Sequence, residues 1–217
     1  MNKKHISTKE NILQTTIDLL NKQGLQNVTF RNVADALHIS LGNITYYFHK
    51  WDNLMDVIFT DYCVKDVKEL YLYFPTNIHE IAQYISRIYD LQIKYTFLFS
   101  NFYLFFNVFP RYNHFKEEFF IDQMDKMRLG FIHLAEQNYM YLPSKDHDYD
   151  LLTKDMWVFV ANWYGFSRMF NDSPNRITKE QFFMSIYNIS VFHLTEKGKF
   201  TLLESFDKLR KEGVFDK

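Results

Sequence analysis

Asn43, Tyr46, Tyr47 and Lys50 fall within eight residues of one another in SLGNITYYFHKWDNL, residues 40–54. Together they carry the chemistry for reading a nucleic acid. An asparagine amide matches adenine N6 and N7, and a tyrosine ring lies against a thymine methyl while its hydroxyl reaches phosphate. Gly42 leaves the backbone bare where a phosphate or groove wall would approach. On a helix turning about 100° per residue, Ile44 and Phe48 point to one side, and Gly42, Asn43, Thr45 and Tyr46 occupy the other. A plainer reading packs Tyr46 and Tyr47 against the next helix and leaves Asn43 solvated.

Such a face needs elements to hold it. Ile12, Leu13, Ile17, Leu19 and Leu20 form an apolar stripe that predicts a first helix from about Ser7 to Gln23, ended by a left-handed Gly24. Thr29 is the expected cap of a short second helix, whose Phe30, Val33, Ala34 and Leu37 recur at helical spacing. After the turn HIS, Ser40 can cap a third. Two short helices joined by so short a turn outline a helix-turn-helix.

The rest of the chain also reads as helical. Only six Gly and four Pro interrupt 217 residues that are 47% apolar, which predicts an all-α protein. Further helices are expected over 52–74, stopped by Pro75, over 77–95, through HFKEEFFIDQMDKMRLGFIHLAEQNY, and over 150–171 and 178–195. The acidic LPSKDHDYD between them reads as a loop, and a last helix is expected to open on a Thr201–Glu204 capping box and to end at Gly213. Two domains follow, a helix-turn-helix domain over 1–50 and a larger helical domain over 51–217.

Charge is uneven. Residues 1–50 hold six basic and three acidic side chains, a surplus of +3, so the remainder carries −4 within a net charge of −1. A basic end suggests a polyanion partner there only. The single cysteine, Cys63, excludes an internal disulfide, and no secretory signal follows the first basic residues, so a cytoplasmic location is expected. The uncharged YTFLFSNFYLFFNVFP, residues 95–110, is shorter than the roughly 18–20 residues of a membrane span and reads as a buried core helix. No catalytic motif, metal-ligand spacing or phosphate loop is visible, so neither enzyme nor metal nor cofactor is expected.

Residues 8–55 resemble the N-terminal domain of the tetracycline-repressor (TetR/AcrR) family of bacterial transcription regulators. The resemblance runs through ILQTTIDLLNKQG, VTFRNVADALHIS and LGNITYYFHKWDNLM. It implies a regulator, most simply a ligand-responsive repressor, that binds a palindromic operator in double-stranded DNA as a homodimer. Position by position, it implies that Leu41, Asn43 and Tyr46 reach bases and that Thr29, Arg31, Thr45, Tyr47 and Lys50 hold phosphates. Thr45 stands where the family usually has Tyr, Trp51 where Lys is common, and His38 where Gly is frequent. The competing expectation is a helical effector-binding or interaction module that no longer binds DNA specifically.

The resemblance further implies that the larger domain binds a small-molecule effector and dimerises through its last long helices. Eleven aromatic residues lie between Phe97 and Phe120, enough either to line an apolar cavity or to fill a helical core. Asn101, Phe102, Tyr103, Phe106, Asn107, Trp163, Tyr164 and Arg168 are therefore the candidate contacts of an apolar or aromatic effector. Phe159, Trp163, Phe166 and Phe170, with Phe182, Ile186, Ile189 and His193, follow helical spacing and are the candidates for a dimer interface.

Overall fold

The computed structural model of the chain describes residues 7–72, 74–100, 102–169 and 177–215, without the side chain of Lys116. The described residues are all-α, and an isolated bridge between Met140 and Leu194 is the extended pairing recorded among them. No described helix is long and apolar enough to cross a membrane. Two compact units share the chain: one runs to Glu69 and includes Lys94–Leu98, the other holds Leu70–Ile93 and the residues from Phe99 onward. The boundary expected after residue 50 thus falls inside the first unit.

In the first unit, α1 (Thr8–Gln23) starts at Ser7, whose hydroxyl accepts from the Glu10 N–H, and buries Ile12, Leu13, Ile17 and Leu20. Gly24 has a positive φ of 86°, but its ψ of 159° is extended, so it turns the chain without the expected left-handed helical cap. Helix α2 (Phe30–Leu37) is closed at its start by a reciprocal box between Thr29 and Asn32, with Asn in place of the usual Glu or Gln. His38 takes the left-handed conformation (φ 55°, ψ 40°) that the turn requires, and Ser40 then caps α3 (Leu41–Tyr47).

The single helix expected over 52–74 is instead three helical segments ending five residues before Pro75. These are α4 (Trp51–Val57), a π-helix (Ile58–Val64) and α5 (Lys65–Leu70). Met55, Phe59, Cys63 and Val67 are all buried and spaced by four. At 3.6 residues per turn such a row would drift around an α-helix. The wider i→i+5 turn keeps it on one face.

Lys94–Leu98 is fastened to this unit by two polar side chains. Asn21 donates to the Lys94 carbonyl (2.8 Å) and accepts from the Thr96 hydroxyl (3.0 Å) and the Phe97 N–H (3.1 Å). Asp66 accepts from the Lys94 ammonium and the Tyr95 hydroxyl, each at 2.6 Å. Burial pushes the Asp66 carboxyl up, but the hydrogen bonds from Lys94 and Tyr95 and the charges of Lys94 and Lys65 outweigh it and hold it below the ordinary 3.8. A carboxylate lowered on folding stabilises the fold above its unfolded pKa, and that contribution is lost as pH falls through the folded value. Asp66→Asn is accordingly expected to lower stability near neutrality and to flatten the acid loss below about pH 4, as read by urea denaturation across pH.

The second unit is built from α6 (Ile78–Lys94, to Ile93), α8 (Phe102–Val108), α9 (Asn113–Glu136), α10 (Tyr149–Arg168), α11 (Lys179–Ser190) and α12 (Glu196–Lys211). The aromatic run expected as one core helix is broken into α7 (Thr96–Phe99), α8 and a 3-10 turn, Pro110–Tyr112. Helix α10 packs on α9 and α11. Gln92 ties α6 to α10, donating to the Val160 carbonyl at 3.0 Å and accepting from the Trp163 indole N–H. Lys179, buried at the start of α11, reaches Asp90 of α6 at 2.8 Å.

The last helix starts earlier than its sequence suggests. Thr195, not Thr201, caps it by accepting from the Gly198 N–H (3.1 Å), and Thr201 is buried mid-helix, so the expected Thr201–Glu204 box does not form. Gly198 is needed in the first turn because a Cβ there would lie 1.9 Å from the Tyr139 carbonyl oxygen. Gly213 closes the helix with φ 70°.

Candidate nucleic-acid interface

The short α3 divides its residues sharply. Ile44 is wholly buried and Phe48 nearly so, whereas Leu41, Gly42, Asn43, Tyr46 and Tyr47 are exposed. Tyr46 is 77% exposed, so the packing alternative does not hold for it. Its ring makes an edge contact with Tyr47 at 5.1 Å, and this pair props the two hydroxyls on the outer surface. The Asn43 carbonyl accepts from the Ser40 hydroxyl (3.2 Å), which orients the amide and leaves its NH2 for a base edge. Between Asp35 and Asp52 there is no acidic residue, so nothing on α3 repels phosphate.

The backbone-contact candidates are less uniform. Arg31 and Lys50 are exposed, Lys50 at the N-cap of α4. Two hydroxyl protons are already engaged: Thr45 donates to the Gly42 carbonyl (3.2 Å) and Thr29 to Asn32 Oδ1 (2.6 Å). Each must rotate away before it can donate to a phosphate oxygen. Trp51 packs its ring edge against Phe30 at 5.5 Å, a use that explains an aromatic where a cation is common. His49 lies beside this face with Nδ1 3.0 Å from the Thr45 carbonyl. Sequence reading passed over it because a lone histidine beside a lysine carries no pattern.

In the second unit, the expected effector residues do not converge. Tyr103 is 79% exposed and Asn107 is also exposed, Phe102 stacks on Phe106 at 5.7 Å, and Trp163 is fixed by Gln92 and stacked on Tyr89. Tyr164 meets the Trp163 ring edge-on, Arg168 is half-buried, and Asn101 lies outside the described residues. An apolar cavity of about 60 Å³ among the described residues is lined by none of them. Ile78, Ile81, Ile85 and Ile88 of α6 form one wall, and α9, α10 and α11 supply the others. The isoleucine row follows helical spacing in the sequence, but by residue type it is indistinguishable from ordinary core.

Half-buried Phe74 is the lining residue nearest solvent, its ring lying so close to Gly130 that a Cβ there would meet it at 2.1 Å.

The dimer candidates are placed as variously. Trp163, Phe182 and Ile186 are buried in the unit's own core, where Phe159 stacks on Phe182 at 5.5 Å. His193 faces inward as well: its ring meets His147 and Tyr149, and burial, followed by His147, holds its pKa below the usual value. Ile189 is half-buried, and Phe170 lies outside the described residues. Among the described residues of the set Phe166 alone is exposed, and it belongs to an outward stripe with Leu151 and Val158 of α10 and Met169 at its C-cap. Apolar residues lie on both sides of α10, so periodicity alone does not say which side faces out.

The TetR family profile, described as a bacterial transcriptional repressor, matches residues 65–202. A TetR-family transcriptional regulator from Marinobacter aquaeolei VT8 is similar in structure, with a TM-score of 0.76 and 21% identity over 93% of this chain and 98% of that one. A TetR transcription regulator from Haloarcula marismortui ATCC 43049 is similar with a TM-score of 0.59 and 15% identity, over 86% of this chain and 98% of that one. At these identities the likeness concerns the fold. No curated protein matches the chain. The motifs of residues 8–55 and the profile over 65–202 rest on different stretches of sequence and name the same family, and the profile alone spans more than half of the chain: the chain belongs to the TetR family of transcription regulators.

Proposed function

We propose that this regulator is a ligand-responsive repressor that binds a palindromic operator as a homodimer. The exposed face of α3 carries the proposal. Asn43, Tyr46 and Leu41 stand outward on a helix anchored from behind by Ile44 and Phe48. Leu41, Asn43 and Tyr46 read bases in the major groove, while Arg31, Tyr47 and Lys50 hold the phosphates, joined by Thr29 and Thr45 once their hydroxyls turn.

The α10 stripe supports the dimer, since large exposed apolar rows seldom go uncovered. A two-fold axis brings the same stripe of each copy together. Phe166→Glu is expected to shift the protein towards monomer and to cost most of its operator affinity, as measured by sedimentation and duplex titration. An unchanged dimer would place the interface elsewhere.

The apolar cavity supports ligand response. Helix α6 lines it and runs on into Lys94–Leu98, the residues that Asn21 and Asp66 fasten to the first unit. A ligand releases DNA only if it binds the DNA-incompetent arrangement better than the competent one. Selection from randomised duplexes by the purified full chain tests the reading. Enrichment of a palindrome with half-sites about one helical turn or a multiple apart supports it. Weak, salt-sensitive binding without enrichment would favour a module that has lost operator recognition.

A further inference from the structure

We infer that His49 is a phosphate contact that grips DNA only in its protonated form, so that duplex binding by this regulator takes up protons and tightens as pH falls. The inference rests on the reading above in which α3 faces DNA, and it adds the proton as a second controlling ligand.

Position comes first. Gly42, Thr45, Tyr46 and His49 fall at i, i+3, i+4 and i+7, so His49 continues the outward row of α3 one residue beyond its C-cap, Phe48. It is exposed, as are Tyr46 before it and Lys50 after it. In a helix-turn-helix the first residues of the recognition helix meet base edges, and the far end of the row, where His49 stands beside Lys50, comes nearer the backbone.

The hydrogen bonding of the ring sets its chemistry. His49 Nδ1 lies 3.0 Å from the Thr45 carbonyl oxygen. A carbonyl only accepts, so Nδ1 carries a proton, and the neutral ring presents a bare lone pair at Nε2. A phosphate oxygen also only accepts, and two lone pairs repel. A proton taken up at Nε2 turns that edge into a charged N–H donor, the stronger class of hydrogen bond to an anion. Phosphate contact and protonation of His49 are thus one event.

The surroundings leave this charge to the DNA. The helix-turn-helix carries the cations Lys9, whose ammonium is 5.7 Å from the Phe48 ring centroid, Arg31 and Lys50, against the carboxylates Asp35 and Asp52. Tyr46 and Tyr47 are the other titratable groups of α3, and His38 stands in the turn before it. The bond recorded for His49 among the described residues is the one to Thr45, and the Thr45 hydroxyl is itself given to the Gly42 carbonyl.

The test titrates the full chain, His49→Gln and His49→Lys with the selected palindrome and with a duplex of random sequence. It runs from about pH 8 to about pH 5.5, the interval in which histidines change charge, with helicity followed in parallel to correct for the folded fraction. The native chain is expected to bind both duplexes roughly tenfold more tightly per protomer at the acid end. Its salt slope should steepen by about one per protomer. His49→Gln should lose most of that gain, and His49→Lys should bind at the alkaline end about as the native chain does at the acid end. A histidine that merely closed the end of α3 would not alter the salt slope and would not be replaced by lysine.

An acid gain as large in His49→Gln as in the native chain overturns the inference. So does affinity that rises towards the alkaline end through His49, which would make neutral Nε2 an acceptor for a base amino group. Preference for the palindrome with no His49-dependent gain overturns the inference alone. A His49-dependent gain on the random duplex without preference for the palindrome upholds the proton-linked contact and overturns the operator reading alone, and failure to bind either duplex at any pH overturns both.

Discussion

Ile44→Ala is expected to lower the stability of the first unit by about 2–5 kcal/mol, the range for truncating a fully buried aliphatic side chain. Ile44 has no exposed surface and is the one wholly buried residue of α3, so its removal leaves a void that so short a helix has few other contacts to offset. Against a domain stability of about 5–15 kcal/mol, the loss is a large fraction of the total. Urea denaturation followed by tryptophan fluorescence and helicity measures it. DNA affinity should fall in step with the folded fraction of this unit. A cost below about 1 kcal/mol would mean that α3 is not anchored through this residue and that its outward face is misassigned.

The second large effect separates reading from folding. Asn43→Ala and Tyr46→Ala are both exposed truncations on the opposite side of α3, expected to alter stability by no more than about 0.5 kcal/mol. Each should nevertheless remove about 1–3 kcal/mol of discrimination at the base pair it contacts, roughly 5- to 150-fold in relative affinity. Lys50→Ala should behave differently, weakening all duplexes alike and reducing the salt slope by about one. The pattern matters more than any single value. If Tyr46→Ala weakened operator and scrambled duplexes equally, Tyr46 would be a phosphate contact and the base-reading role would pass to Leu41 and Asn43.

The helix-turn-helix was legible in the sequence because each of its parts is fixed locally. Ser7, Thr29 and Ser40 all cap the helices they precede, and Ile44 and Phe48 fall on the buried side that a 3.6-residue period assigns them. What could not be read depends on contacts far apart in the chain. The π-helix over Ile58–Val64 answers a four-residue row of buried side chains whose partners the sequence does not name. The need for Gly198 comes from Tyr139, 59 positions earlier in the numbering, and no local pattern marks it.

The larger unit shows a different limit. Rings are abundant there, and aromatic density alone does not distinguish a ligand pocket from a packed core. Trp163 illustrates this: its indole is spent on Gln92 and its ring on Tyr89, so it braces α6 against α10 and is not part of the lining of the apolar cavity. The isoleucines and methionines that do line the cavity are ordinary core residues by type. Only the arrangement of four helices reveals the space between them.

We propose that the outward face of α3 gives this regulator a specific operator. The most direct test is the ratio of affinities for the selected palindrome and for a scrambled duplex of equal length, titrated at physiological salt with the native chain and with Asn43→Ala. A ratio of at least about 1,000 for the native chain that collapses in the variant, at unchanged stability, is the predicted result. A native ratio near one, or a high ratio that survives the loss of Asn43, Tyr46 and Leu41 together, would contradict it.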